Sequence, residues 1–188
     1  MKNETLKTAG RLREMGFAVH WLRGRSKAPV DTGWATAPVQ SIAQLERTYR
    51  ADYNVGFRPG RWSVVDGHEV VVIDVDIRGG EKYAAEAYSA ATSVLDGEFK
   101  PQVQTGSGCG RHQYVRMQLG TAPDKAATTL RQSDIWILDG KVCASGHKEA
   151  RPAWVVELLS TGKNVVLPPS IHPDTGKPYN WMCKKDQA

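Results

Sequence analysis

The chain's hydrophobic positions change period several times, and each change marks an element. Leu6, Ala9, Leu12 and Met15 recur every three residues, which puts them on one face of a helix that Gly16 can end. The run "FAVHWL" then reads as a strand, and "RGRSKAPVDTGW" as a loop rich in turn formers. Ser41 can cap a helix over "IAQLERTYRAD", and "NVGFRPG" is a short strand running into a turn. Residues 62–65 and 69–76 flank "DGHE", whose Asp-Gly pair suits a tight hairpin. Residues 81–95, "EKYAAEAYSAATSVL", are Ala-rich and predict a helix. "QVQTGSGCGRHQYVRM" reads as two strands around a glycine-rich turn, and "DIWILDG", "KVCAS", "AWVVELLS" and "NVVLP" as further strands. Hairpins interleaved with helices predict an α+β domain with a mixed, largely antiparallel sheet.

One strand breaks its own pattern. In "VVVIDVDIRGG", residues 70–80, Val70, Val72, Asp74 and Asp76 share one face and Val71, Ile73 and Val75 the other. The two aspartates lie roughly 6.6 Å apart along the strand, so their carboxylates can lean toward a common point. Like charges on a half-buried face are costly unless something positive neutralises them. A hard divalent cation, Mg²⁺ or Mn²⁺, does so when carboxylates and phosphate oxygens share its shell. The plainer alternative is a strand end where both aspartates reach solvent or pair with Arg78. A third acid, Glu157, sits inside the apolar strand "AWVVELLS" on the same face as Val155 and Leu159. Three acids on adjacent strands would suit two metal ions and phosphoryl transfer; Asp134 and Asp139 are rival candidates for the third place.

The turn "TGSGCGRHQYVRM" adds phosphate chemistry. Gly106, Gly108 and Gly110 permit close backbone approach, and successive N–H groups there can cradle an anion. His112, Tyr114 and Arg116 follow on one strand face. No Gly-Lys-Ser/Thr follows, so this is not a Walker A loop. Near the end, Ser170 and His172 follow two prolines that stiffen the segment.

Charge and length refine the picture modestly. The 188 residues suffice for one well-packed domain, and a net charge of +5 is compatible with a polyanionic partner. No apolar run approaches a membrane span and the N-terminus lacks a signal-peptide core, so the expected compartment is the cytoplasm, with no membrane partner. Three cysteines argue against a disulfide scaffold. A zinc site from Cys109, Cys143, His147 and Cys183 lacks the support of a C-x₂-C pair.

In order and spacing, "GRSKAPVDTGW", "VVIDVD", "TGSGCGRHQYV", "VVELL" and "NVVLPPSIHPDTGKPYNW" resemble the primase–polymerase (prim-pol) domain of the archaeo-eukaryotic primase superfamily, especially the bifunctional enzymes of phages and plasmids. The resemblance runs from about Gly16 to Trp181. It implies one catalytic domain over 1–188, with an RRM-like core packed on an N-terminal α/β unit. It implies template-directed synthesis and extension of primers on single-stranded DNA with NTPs or dNTPs by two metal ions. Asp74, Asp76 and Glu157 would hold the Mg²⁺ or Mn²⁺ ions, and His112 would contact the triphosphate. Ser107, Gly110, Arg111, Arg116, Ser170, His172 and Lys27 would complete the nucleotide site, and Trp34, Trp62 and Tyr114 are candidate stacking surfaces. A replicative helicase is an expected partner, because relatives of this kind commonly carry one. A single-strand-binding module without catalysis is the rival reading. A replication initiator nuclease is disfavoured by the lack of a His-hydrophobe-His pair.

Overall fold

The computed structural model describes residues 2–124 and 128–182. The chain opens with helix α1 (Lys2–Glu14), strand β1 (Ala18–Leu22), helix α2 (Ile42–Thr48) and strand β2 (Asn54–Arg58). A hairpin follows, β3 (Gly60–Val65) and β4 (His68–Ile77), and then a 3₁₀ turn, Glu81–Tyr83, leading into α3 (Ala84–Ser93). Next come β5 (Val103–Gln104), β6 (Arg111–Gln118), β7 (Thr128–Gln132), β8 (Trp136–Leu138), β9 (Lys141–Cys143) and β10 (Arg151–Pro152). β11 (Trp154–Leu159), β12 (Val165–Leu167) and β13 (Asn180–Trp181) complete the order.

Local chemistry explains most of these boundaries. Ser41 caps α2 through the Gln44 amide, and the Gln44 side chain returns a bond to the Ser41 N–H, a complete capping box. Asp66 and Gly67 both take positive φ, the twist a two-residue hairpin needs. Leu12 and Ala9 of α1 are buried, but Met15 lies beyond the helix end and is 49% exposed, so the expected apolar face stops one turn early.

Three sheets form. β1, β2 and β12 make a small sheet, and β8, β9 and β10 another. The main sheet runs β13-β5-β6-β4-β11-β7, with β3 also paired to β4. The fold is α+β as expected, but among the described residues every strand pairing is antiparallel rather than mixed. Within the main sheet, β4 leads through α3 to β5, and β6 returns between them while β11 takes the other side of β4. That order, β5-β6-β4-β11, is the split βαβ arrangement of an RRM-like core. Where such a core carries a second helix, between β6 and β11, the described residues here hold β7 to β10 instead.

The central strands of the main sheet pack on both faces. Ile73, Val75 and Ile77 of β4, with Trp154 and Val156 of β11, pack on Tyr83, Ala87 and Ala91 of the α3 segment. On the opposite face, Val70, Val72 and Leu159 pack against Phe17, Phe57 and Leu45 of the N-terminal unit. This second core covers only the Val70–Val72 end of β4. The continuation of the same face, at Asp74 and Asp76, lies beyond it.

Candidate active site

Register brings the acids and the histidine together. Asp74 of β4 lies directly opposite His112 of β6 on one side and Glu157 of β11 on the other. Residues directly opposite in an antiparallel pair point to the same face. Asp74, Asp76, His112 and Glu157 therefore share one sheet face, and Val70 and Val72 of that face anchor it in the core below.

Above this face is a cavity of about 60 Å³. Asp74, Asp76 and His112 form its floor, and Lys27 reaches it from the loop after β1. Ser107 and Thr105 come from the glycine-rich turn, and His172 and Tyr179 from the segment after β12. Four stretches far apart in sequence, at 27, 74–76, 105–112 and 172–179, thus converge on a volume that holds a few water-sized groups.

The electrostatics are those of crowded carboxylates. Burial holds the pKa of Asp74 up at about 7, from an ordinary 3.8; the Asp76 and Glu157 charges push the same way, and Lys27 and Arg78 oppose them. Asp76 is engaged by Arg78, with Nη2 to Oδ2 at 2.7 Å, so the plainer pairing foreseen for this strand is also present. Both side chains of that pair are more than a third exposed, and its contribution is small. His112 places Nε2 3.5 Å from Asp74 Oδ1, while its Nδ1 is buried without a partner. Burial, reinforced by Lys27, lowers the pKa of His112 to about 3, so it is a neutral imidazole at pH 7.

The turn that follows β5 is tightly organised. Thr105 N–H donates to the Gly110 carbonyl (3.0 Å), Gly110 N–H donates to Ser107 Oγ (3.3 Å), and the Thr105 and Ser107 hydroxyls bond each other at 2.7 Å. A Cβ at Gly110 would meet Thr105 Oγ1 at 2.4 Å, and one at Gly106 would meet His172 Cβ at 2.5 Å. Glycine is needed at both positions for close approach rather than for a positive φ. The Thr175 hydroxyl donates to the Gly106 carbonyl at 2.7 Å, joining this turn to the His172 loop. His172 Nδ1 accepts from the Asp174 and Thr175 N–H groups (3.3 and 3.4 Å). In the neutral ring the proton is then on Nε2, which leaves a donor for an anion.

Several expected site residues are placed elsewhere. Alternation turns Arg111 to the opposite sheet face from His112. There it donates to the Gly108 and Gly110 carbonyls, both at 2.9 Å, and lies over Tyr88, so it braces the turn from behind. Arg116, four residues further along β6 and roughly 13 Å from His112, pairs with Asp66 at the hairpin. Ser170 is buried; its hydroxyl accepts from Val55 N–H (2.8 Å) and donates to Val55 O (3.0 Å), so it ties the chain after β12 to β2. Gly110 shapes the turn but does not line the cavity. Tyr114 is packed among Phe17, Phe57 and Trp181. Trp34 lies against His20, and Trp62 lies under the Arg58 guanidinium at 4.2 Å, so none of the three aromatics offers a stacking face in the cavity.

Among rivals for the third acid, Asp134 and Asp139 are exposed at the small β8–β9–β10 sheet, and only Glu157 faces Asp74. Cys183 lies outside the described residues, and among those described no three His, Cys, Asp or Glu side chains gather at a metal-holding point. The donor set at Asp74 and Asp76 nevertheless fits a hard cation. It consists of carboxylate oxygens in a half-buried cavity, where three acids outnumber Lys27 and Arg78, with room for phosphate and water oxygens to complete a shell.

The chain matches, over residues 9–188, the family described as bifunctional DNA primase/polymerase, N-terminal. It belongs to the Prim-Pol family. Among curated proteins none matches it. Membership makes the chain a DNA primase/polymerase domain, with DNA and nucleotides as the substrates the family implies. No helix among the described residues is long and apolar enough to cross a membrane.

Two cavity residues of this Prim-Pol domain escaped the sequence reading. Thr105 opens the glycine turn, and its value lies in a hydroxyl shared with Ser107. Tyr179 is buried between His172 and His112, ring centroids 6.0 and 6.1 Å away. Burial, with Asp74 and Asp76 nearby, raises its pKa well above the ordinary 10.0. The run "KPYNW" carries no periodic pattern that marks Tyr179, and its burial, 2% exposed, follows from its place between the two histidine rings.

Proposed function

We propose that the chain catalyses template-directed nucleotidyl transfer, making primers on single-stranded DNA and extending them with NTPs or dNTPs during replication. The observation that supports this best is the small polar cavity where two carboxylates of β4 meet a lysine, two hydroxyls and two histidines. Its size suits phosphate groups and hydrated cations, and leaves the base and sugar outside.

In this reading Asp74 and Asp76, with Glu157 behind them, would hold Mg²⁺ or Mn²⁺. When bound, two such ions lower the pKa of the attacking hydroxyl and neutralise charge on the leaving pyrophosphate. The protein's own groups do the rest. Lys27 is the cation in the cavity and balances triphosphate charge. His172 donates through Nε2–H, and Ser107 and Thr105 offer hydroxyls to phosphate oxygens. Neutral His112 abuts Asp74 and restrains its carboxylate, while Arg111 keeps the turn rigid from the far side. A neutral histidine there avoids cancelling the negative charge the cations require.

The test is template extension with Mg²⁺ or Mn²⁺, with and without a primer, using dNTPs and NTPs separately. Incorporation in at least one arm, abolished by Asp76→Ala in a folded protein, is the expected result. Tight single-strand binding that ignores metal, with no incorporation in any arm, would favour the non-catalytic binding module.

A further inference from the structure

Lys27 is on a loop, yet its position is fixed by a chain of side-chain hydrogen bonds that begins in the small N-terminal sheet. Asn164, just before β12, donates from Nδ2 to the Lys27 carbonyl at 2.8 Å. Its Oδ1 meets His20 Nε2 of β1 at 2.7 Å. A carbonyl can only accept, so the Lys27 bond fixes which way the Asn164 amide faces, and Oδ1 must accept from His20. His20 is therefore the Nε2–H tautomer, and burial lowers its pKa to about 4, which keeps it neutral. His20 is 7% exposed and lies opposite Gly56 in the β1–β2 pairing.

Gly56 is what lets the amide pass. It has no positive φ to explain it. A Cβ there would meet Asn164 Oδ1 at 2.5 Å and Val165 O at 2.9 Å. The side chain of Asn164 thus crosses the central strand β2 in the space a side chain at residue 56 would fill. A second amide supports the same loop: Asn54 Nδ2 donates to the Ser26 carbonyl at 3.1 Å and to Ile171 O at 2.8 Å. Asn54 Oδ1 accepts from Ile171 N–H at 2.9 Å, next to His172. The Lys27 loop and the His172 loop are both held by amides rooted in the N-terminal sheet.

We infer that His20, Gly56 and Asn164 form a positioning unit that holds the Lys27 ammonium over the acidic cavity, where it sets affinity for the nucleotide's triphosphate. This rests on the nucleotidyl-transfer reading above. None of the three lines the cavity, so each is a positioning residue rather than a catalytic one. Their role is to spare the entropy of ordering a long flexible cation at the moment of binding. Backbone bonds restrain the flanks of the loop, Arg23 N–H to the Ala28 carbonyl and Val30 N–H to the Trp21 carbonyl, and the Lys27 carbonyl between them is taken by Asn164.

The experiment compares four variants, Lys27→Ala, Asn164→Leu, His20→Leu and His20→Gln, together with the double variant Lys27→Ala/Asn164→Leu. Each is measured for extension kinetics, for Tm, and for calorimetric affinity toward a nucleoside triphosphate with an uncleavable α–β bridge. Lys27→Ala should weaken nucleotide affinity about tenfold or more. Asn164→Leu and His20→Leu should raise the nucleotide KM three- to tenfold with kcat within about twofold. His20→Gln, whose amide N–H can still donate to Asn164 Oδ1, should recover most of the affinity. The double variant should be no weaker than Lys27→Ala alone. If Lys27→Ala weakens affinity but Asn164→Leu does not, or the double variant is additive, the positioning unit is wrong while the site stands. If extension is normal and Lys27→Ala leaves affinity unchanged, Lys27 is not a nucleotide group and the inference falls. If the wild type incorporates nothing, the functional reading falls with it.

Discussion

Asp74 holds its proton to about pH 7, against 3.8 when unfolded, because burial and the neighbouring Asp76 and Glu157 carboxylates disfavour its charge. Between those values the folded protein keeps a proton that the unfolded chain releases. The stability this supplies is full below 3.8 and is lost as pH rises to about 7. His112 acts in the opposite direction: unfolded it takes a proton near 6.5 and folded only near 3, so its contribution grows as pH rises through that window. The two partly cancel at acid pH, and at pH 8 only the cost of ionising Asp74 remains. At the same scale Ser170 provides a contrast, since both its hydroxyl bonds are spent on Val55. Ser170→Ala should cost about 1–3 kcal/mol in urea unfolding, by leaving a buried N–H and C=O less well paired, with nucleotide KM unchanged. A raised KM at unaltered stability would return Ser170 to the nucleotide site.

At the scale of elements, the glycine turn between β5 and β6 and the loop after His172 are in contact through Gly106. Gly106→Ala should push the two apart and lower extension at least tenfold, whereas Gly108→Ala, with open space around its Cβ position but a φ of +102°, should mainly strain the turn. Extension kinetics and Tm on both variants check this, and equal losses would argue against the contact. Strand alternation made Asp74, Asp76 and Glu157 legible in the sequence, because an acid inside an apolar run breaks a local rule that only its surroundings can explain. Alternation also separates Arg111 from His112. Arg116 was harder to exclude, since it does share His112's face, and only distance along β6 removes it. The strands β7, β10 and β13 carry too little apolar pattern to be read from sequence; their pairing comes from neighbours.

Across the whole molecule, the acidic face is suspended between two cores. The N-terminal sheet covers the lower half of β4, and its loop brings Lys27 to the upper half. The third acid is a test of this register. Glu157→Gln should weaken Mn²⁺ binding by calorimetry and cut extension sharply, while Asp134→Asn and Asp139→Asn, both exposed and off the main sheet's central strands, should do little. Loss of metal binding in either aspartate variant, with Glu157→Gln unaffected, would place the third ligand in the β8–β9–β10 sheet. Long-range placement of this kind, Lys27 over Asp74 or Tyr179 between two histidines, is set by how the two sheets meet, which no local pattern encodes.

The most direct measurement sets stability against activity in one variant. Asp74→Asn keeps the shape of the side chain and removes the charge that burial opposes. At pH 8 it should stabilise the fold by on the order of 1–3 kcal/mol, seen as a Tm higher by several degrees, with the gain shrinking toward pH 4. In the same preparation, nucleotide incorporation on a primed single-stranded template should fall at least a hundredfold with either Mg²⁺ or Mn²⁺. Near-wild-type incorporation, or a Tm at pH 8 that falls rather than rises, would contradict the assignment of this cavity as a nucleotidyl-transfer site built around an unfavourably buried carboxylate.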